Sequence, residues 1–266
     1  MMSLKPEVKR VFVTGAAGFL GFRVAAVLLE AGLQVTLLAH PEQDDRLVSL
    51  AHRARVVHGD IWNRGSLKGL ARGHDVLVHL VGSVRAAPRR GFTYQQINLV
   101  SARNAVGMAV TDGIPNLILL SATGLPGTLP RDYVLSKRDA EEYLEHSGLH
   151  WIIVRAPLLF VPSFQTPLLQ MIGLAAMLPP LRWIVGRYLP LSVNIAARGI
   201  AVATQEIYEN EGHTLYANDL RRLARRHIPQ TQFHFRPAIA RDEDSQEEAP
   251  FGWLPPEESR PPHHRD

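Results

Sequence analysis

Apolar positions follow two alternating rhythms along the first 155 residues. Short runs are apolar almost throughout, as strands buried on both faces are: Val11, Phe12 and Val13, then Gln34–Ala39, Arg55–His58, 75–82, 116–120 and 151–155. Between them lie helical patterns. Residues 22–30 close at Gly32, residues 93–112 set Ile97, Val100, Ala105 and Ala109 on one face before Gly113, and residues 131–144 stop at Gly148. Strand and helix in alternation predict an α/β fold, a doubly wound parallel sheet with helices on both faces.

Beyond position 155 the rhythm changes. Residues 167–178 and 181–191 are strongly apolar but are broken by Pro179, Pro180, Arg182, Gly186, Arg187 and Pro190, too short for the ~20 uninterrupted residues of a membrane-spanning helix. A strand is then expected at 191–194, an amphipathic helix at 195–209 and a short strand at 213–216. Asn218 is expected to cap a basic helix at 219–226. Residues 1–236 therefore read as one domain, its small C-terminal substrate lobe inserted at 158–193 and 213–236. Prolines, acids and histidines without apolar period predict a disordered tail over 237–266.

Three glycines sit where the first strand should turn into the first helix: Thr14-Gly15-Ala16-Ala17-Gly18-Phe19-Leu20-Gly21. Gly15 suits the tight turn, Gly18 a close approach of pyrophosphate to backbone, and Gly21 close helix packing. Free N–H groups at the helix start would face the phosphates. A glycine triplet alone is a weak signal, but between a buried strand and an amphipathic helix it points to a dinucleotide.

The second strand ends at His40, followed by Pro41, with acids at Glu42, Asp44 and Asp45 and a base at Arg46. An acid at that strand end takes the ribose hydroxyls of NAD, whereas a base accommodates the extra phosphate of NADP. The position is not acidic, and Pro41 is expected to turn the chain away before the acids return. NADP(H) is therefore favoured over NAD(H).

Tyr133 and Lys137 stand four apart in the 131–144 helix, so both project from one face. An ammonium beside a phenol favours the phenolate, and a hydroxyl from a neighbouring strand end, Ser121 or failing that Thr123, would hold the substrate oxygen. His79 reads as a half-buried strand residue. Arg85, Arg89 and Arg90 read as a solvated basic loop, and Arg221, Arg222, Arg225 and Arg226 as a solvated helix end.

Composition narrows the remaining classes. The chain has 266 residues and no cysteine, which excludes disulfides, thiolate metal sites and cysteine nucleophiles. No metal-ligand spacing occurs, and His263 and His264 are isolated. The net charge of +4 is spread among interspersed signs, and no aromatic interleaving accompanies the basic residues, so no nucleic-acid partner is expected. The first ten residues are polar and charged without an apolar core, and a cytoplasmic location is expected.

The chain resembles an extended or atypical short-chain dehydrogenase/reductase of the NAD-dependent epimerase/dehydratase type, over residues 11–223. The motifs that carry the resemblance are the glycine stretch, Gly59-Asp60, His79-Leu80-Val81-Gly82, the Tyr133/Lys137 pair and the run from Ser147 through Arg155-Ala156-Pro157. The last run resembles the atypical branch that includes NmrA-like proteins and the complex I accessory NADPH-binding subunit. The resemblance implies a Rossmann fold in which Gly15, Gly18 and Gly21 hold the pyrophosphate, and Ala17, Phe19, Leu20 and His40 are also expected to bind the cofactor. Asp60 and Ile61 would bind the adenine, Leu80, Val81 and Gly82 would line the cofactor, Lys137 would clamp the nicotinamide ribose, and Ala156, Pro157 and Leu158 would lie by the nicotinamide. Tyr133, Lys137 and Ser121 would be the catalytic set.

Two features depart from the family pattern: Ala122 follows Ser121 where a second serine is usual, and Ala156 separates Arg155 from Pro157. The expected function is NADP(H)-dependent oxidoreduction of an apolar carbonyl, alcohol or quinone-type substrate. The alternatives are a non-catalytic NADP(H)-binding sensor or assembly factor and a sugar-nucleotide epimerase or dehydratase. The apolar stretch 167–191 is expected to cover a lipophilic substrate and to touch a membrane peripherally, with Arg182 and Arg187 at the headgroups.

Overall fold

The computed structural model describes residues 7–88, 92–124, 127, 129–161 and 188–226. Residues 167–187 of the predicted apolar cover, with Arg182 and Arg187, the loop residues Arg89 and Arg90, and the predicted tail lie outside the described residues. Seven strands form one sheet: β1 (Arg10–Thr14), β2 (Gln34–Ala39), β3 (Arg55–His58), β4 (Val76–His79), β5 (Asn116–Ala122), β6 (His150–Ala156) and, after a two-stranded pair β7 (Leu159–Phe160) and β8 (Leu191–Ser192), β9 (His213–Leu215). Their order is β3-β2-β1-β4-β5-β6-β9, and each neighbouring pair is parallel. The order reverses between β1 and β4, so a crevice opens above their carboxyl ends, where ligands bind in such sheets.

The uninterrupted apolar runs follow from burial on both faces. Val11 and Val13 belong to one core cluster and Phe12 to the other; Val76 and Val78 separate likewise from Leu77, and Ile118 and Leu120 from Leu117 and Leu119. The first face is covered by α1 (Phe19–Glu30), flanked by α2 (Asp44–Ala51), and by α5 (Val193–Gln205), which packs on α1. The second is covered by α3 (Ser101–Asp112) and α4 (Arg131–Glu145). Short α6 (Ala217–Leu223) packs on α5 so closely that a Cβ on Gly199 would come within 2.8 Å of the Leu220 carbonyl oxygen.

Several boundaries differ from the sequence expectation. The fourth strand is shorter than 75–82: it ends at His79, and the last bond to β1 runs from Leu80 N–H to Thr14 O at 3.1 Å. The 93–112 helix opens with a π-helical turn, Gln95–Val100, before α3 begins. The strand expected at 191–194 is only β8, since α5 already starts at Val193. Asn218 lies inside α6 rather than at its cap. Tyr216 caps it instead, its N–H donating to the Asp219 carboxylate at 3.1 Å. Among the described residues no helix is long and apolar enough to cross a membrane.

Candidate functional site

Gly15 takes a left-handed φ of +79°, and a Cβ there would lie 3.0 Å from both Leu80 C and Val81 N. A Cβ on Gly21 would overlap the Gly15 carbonyl outright, so the helix can seat on the loop only without a side chain at that position. Gly18 is the extended N-cap of α1, its N–H bonded to Gly15 O at 3.1 Å. It offers no side-chain cap, and no acid stands in the first turn. The first N–H groups of α1, at Phe19 and Leu20, precede the first intrahelical bond, from Phe22 N–H to Gly18 O, and suit an anion.

The other predicted cofactor residues gather at the same sheet edge. His40 follows β2, Asp60 and buried Ile61 follow β3, Leu80, Val81 and Gly82 follow β4, and Ala156, Pro157 and exposed Leu158 end β6. Asp60 is partly engaged, its Oδ1 accepting from Trp62 N–H at 2.9 Å. At the second strand end one expectation is corrected. Pro41 does not carry the acids away: a short 3-10 turn brings the Glu42 carboxylate to 3.7 Å from His40 Nδ1, while Asp44 turns to His58 at 2.9 Å.

On α4 the four-residue spacing places Tyr133 and Lys137 on one buried face, 3% and 4% exposed. Lys137 Nζ donates to Leu120 O at 3.1 Å and fills the space above Gly82, where a Cβ would overlap it. Burial pulls the Lys137 ammonium down to about 8, against a smaller opposing effect of Glu141. The π turn brings Asn98 to the same place. Its Oδ1 accepts from Ser83 N–H at 3.2 Å, and its amide donates to Ser136 Oγ at 3.1 Å, tying the loop after β4 to α4. Sequence spacing gave no role to Asn98; the helix irregularity that presents it is visible only in three dimensions.

Tyr133 overturns an electrostatic expectation. Burial pushes its phenol well above the usual value, and Tyr94, packed edge-on at 5.7 Å, adds to this; Arg138 opposes both. The phenol therefore stays protonated at neutral pH rather than being drawn toward the phenolate by Lys137. Fully buried His79 is also more than the half-buried strand residue expected. Its Nδ1 lies 2.8 Å from Thr14 Oγ1 and its Nε2 3.4 Å from Ser101 Oγ. Burial, then Lys137, drive its pKa down to about 3.

Ser121 is not brought to Tyr133: among the described residues no hydrogen bond joins them. The hydroxyl instead accepts from Arg138 Nη1 at 3.4 Å, and Arg138 Nη2 donates to Ala122 O at 3.0 Å. Behind it, buried Glu141 pairs with Arg138 and takes Arg155 Nη2 at 2.6 Å, while Arg155 Nη1 donates to the Tyr216 hydroxyl at 2.9 Å. These bonds raise the Arg155 pKa above its ordinary value. On this side of α4 a cavity of about 470 Å³ opens, lined by Thr123, Val134, Leu135 and the three arginines 131, 138 and 155 among others. Tyr133 and Lys137 do not line it; they face the other side of the helix.

A glycine-cradled helix start, a reversal of strand order and a Tyr/Lys pair at one sheet edge are features of a dinucleotide-binding Rossmann fold. The chain belongs to the NAD(P)H-binding family, whose model matches residues 15–166. It is similar to the ceramide reductase of Caulobacter vibrioides, at 31% identity over 64% of this chain and 52% of that protein. It is also similar to a ketoreductase of Stigmatella aurantiaca named for 4-hydroxy-2-methyl-3-oxo-4-farnesyl-3,4-dihydroquinoline-1-oxide, at 28% identity over 70% of this chain and 61% of that protein. The chain thus spans only half to three-fifths of the length of these relatives. Among solved structures, a short-chain dehydrogenase/reductase of Veillonella parvula in complex with NADP shares the fold with a TM-score of 0.51, at 19% identity over 74% of this chain and 87% of that one.

Proposed function

We propose that the protein is an NADP(H)-dependent oxidoreductase that interconverts a carbonyl and an alcohol on an apolar, isoprenoid or quinone-type substrate. The observation that carries the reading is the placement of Lys137 Nζ against Gly82 and the Leu120 carbonyl, one helical turn from Tyr133 and at the sheet edge that holds the glycine cradle. The residues present fit the cofactor: the cradle around Gly15 and Gly21 has no room for side chains, and no carboxylate guards the start of α1.

The glycine loop would hold the pyrophosphate, His40 the adenosine ribose, and Lys137 the nicotinamide ribose, with Asp60, Ile61, Leu80 to Gly82 and Ala156 to Leu158 along the cofactor. The bound nicotinamide supplies or takes the hydride. Tyr133, kept protonated by burial, suits the donor of a proton to the oxygen of a carbonyl being reduced, because the developing alkoxide is far more basic than a phenol. Lys137 adds positive charge beside that oxygen. Ser121, held by Arg138, needs a rotation of its hydroxyl to bond the substrate oxygen. The reductase names of the two relatives, one for ceramide and one for a farnesyl-bearing compound, support a carbonyl on an apolar body.

Farnesylacetone, a simple isoprenoid ketone, is the probe. NADPH oxidation followed at 340 nm in its presence, and not in its absence, is the expected result. A non-catalytic NADP(H) binder is the second reading, favoured by the engagement of Ser121 with Arg138. NADPH binding without turnover of ketone, quinone or alcohol substrates would select it.

A further inference from the structure

We propose that the cavity on the side of α4 away from Tyr133 and Lys137 is a second binding site, for a small organic oxyanion with an apolar body. Its volume of about 470 Å³ is that of a small-molecule pocket. Its walls join two chemistries. Val134, Leu135 and the ring of Tyr216 supply apolar surface, and Arg131, Arg138 and Arg155 bring three guanidinium groups.

Among the described residues the charge at this cavity does not balance. Glu141 is the carboxylate that both Arg138 and Arg155 touch, and it can neutralise only one of them. Arg131 makes no ion pair among the described residues, and Asp132 beside it in sequence does not line the cavity. About two positive charges are therefore left facing one half-open cavity, and the start of α4, which has no side-chain cap, adds its dipole to them. A neutral ligand would leave that potential unanswered, whereas a carboxylate or phosphate would meet it.

The guanidiniums are also held in place before any ligand arrives. Arg138 is anchored to Ser121 Oγ and Ala122 O, and Arg155 to Glu141 and the Tyr216 hydroxyl with its guanidinium over the Tyr216 ring at 5.9 Å. Arg155 commits its Nε/Nη2 fork to Glu141 and so contributes fixed charge, while Arg131 offers the guanidinium left uncommitted among the described residues for two-pronged recognition of an oxyanion. The Tyr133/Lys137 face and the glycine loop contribute nothing to the lining, so the site is separate from the one that would hold the cofactor.

Benzoate, phenyl phosphate and neutral benzamide serve as probes, titrated into the full chain by calorimetry with and without saturating NADPH. The proposal expects saturable binding of benzoate, phenyl phosphate or both, retained when NADPH is present, and none of benzamide. Which anion binds more tightly separates a carboxylate from a phosphate ligand. Arg131→Ala should weaken the anion at least about tenfold, and Leu135→Trp, which fills the cavity from an exposed position, should abolish binding. No saturable anion binding, displacement of the anion by NADPH, or affinities unchanged in both variants would overturn the site. Anion binding to a protein that shows no affinity for NADPH would leave this site standing and count only against the proposed cofactor.

Discussion

Lys137 Nζ occupies the space that a side chain at Gly82 would fill. The pair couples the loop after β4 to α4, and Asn98 closes the same contact, since its Oδ1 would lie 2.9 Å from that Cβ. Gly82→Ala should therefore expel the ammonium from its bond to Leu120 O. The expected cost is about 1–3 kcal/mol of stability, as for other overpacked sites, together with a loss of NADPH affinity. Urea unfolding and a fluorescence titration of NADPH read the two effects; a variant as stable and as tight as wild type would show that Lys137 is not held there.

At the other glycine contact the obstacle is backbone, which cannot rotate away. Gly21→Ala places its methyl on the Gly15 carbonyl and should unseat the start of α1. NADPH binding is expected to disappear, with thermal unfolding shifted down by several degrees, about 2 kcal/mol or more. Retention of wild-type binding would mean that the loop does not adopt this geometry.

Two buried bases make stability depend on pH in separate windows. His79 binds its proton near pH 3 when folded, against 6.5 for an ordinary imidazole, so below 6.5 the unfolded chain binds more protons. Stability is full above that pH and lost as pH falls toward 3, by roughly 2 kcal/mol between pH 7 and 5. His79→Gln, which cannot titrate, should lose correspondingly less over that interval in urea denaturation. Equal losses would contradict a neutral, buried imidazole.

Lys137 acts in the alkaline window. Its pKa is near 8 when folded and 10.5 when free, so the unfolded chain again binds more protons between these values. Stability should rise with pH from 8 to 10.5 relative to Lys137→Met. Parallel profiles for the two proteins would place the ammonium in solvent.

The alternation of buried runs and helical faces is enough to predict the doubly wound sheet, because each strand is covered on both sides and each helix on one. β2 and β3 are found at their expected boundaries. The failures are local and physical. Val193 and Asn194 read as the end of a strand, but packing of this segment on α1 makes them the first turn of α5. Spacing places Tyr133 and Lys137 on one face; it does not reveal that burial raises the phenol's pKa and that the charge opposing it is Arg138. Nor can it reveal that Glu141 and Arg155, on different elements, form the network that takes Ser121 by way of Arg138.

The central claim is that Tyr133 transfers a proton at a site where NADPH binds. Wild type and Tyr133→Phe should be titrated with NADPH and then supplied with NADPH carrying deuterium at nicotinamide C4, together with farnesylacetone. Matching NADPH affinities, deuterium in the alcohol formed by wild type, and at least about a hundredfold less alcohol from the variant are the predicted results. Full turnover in Tyr133→Phe, or a wild-type protein that does not bind NADPH, would contradict the account.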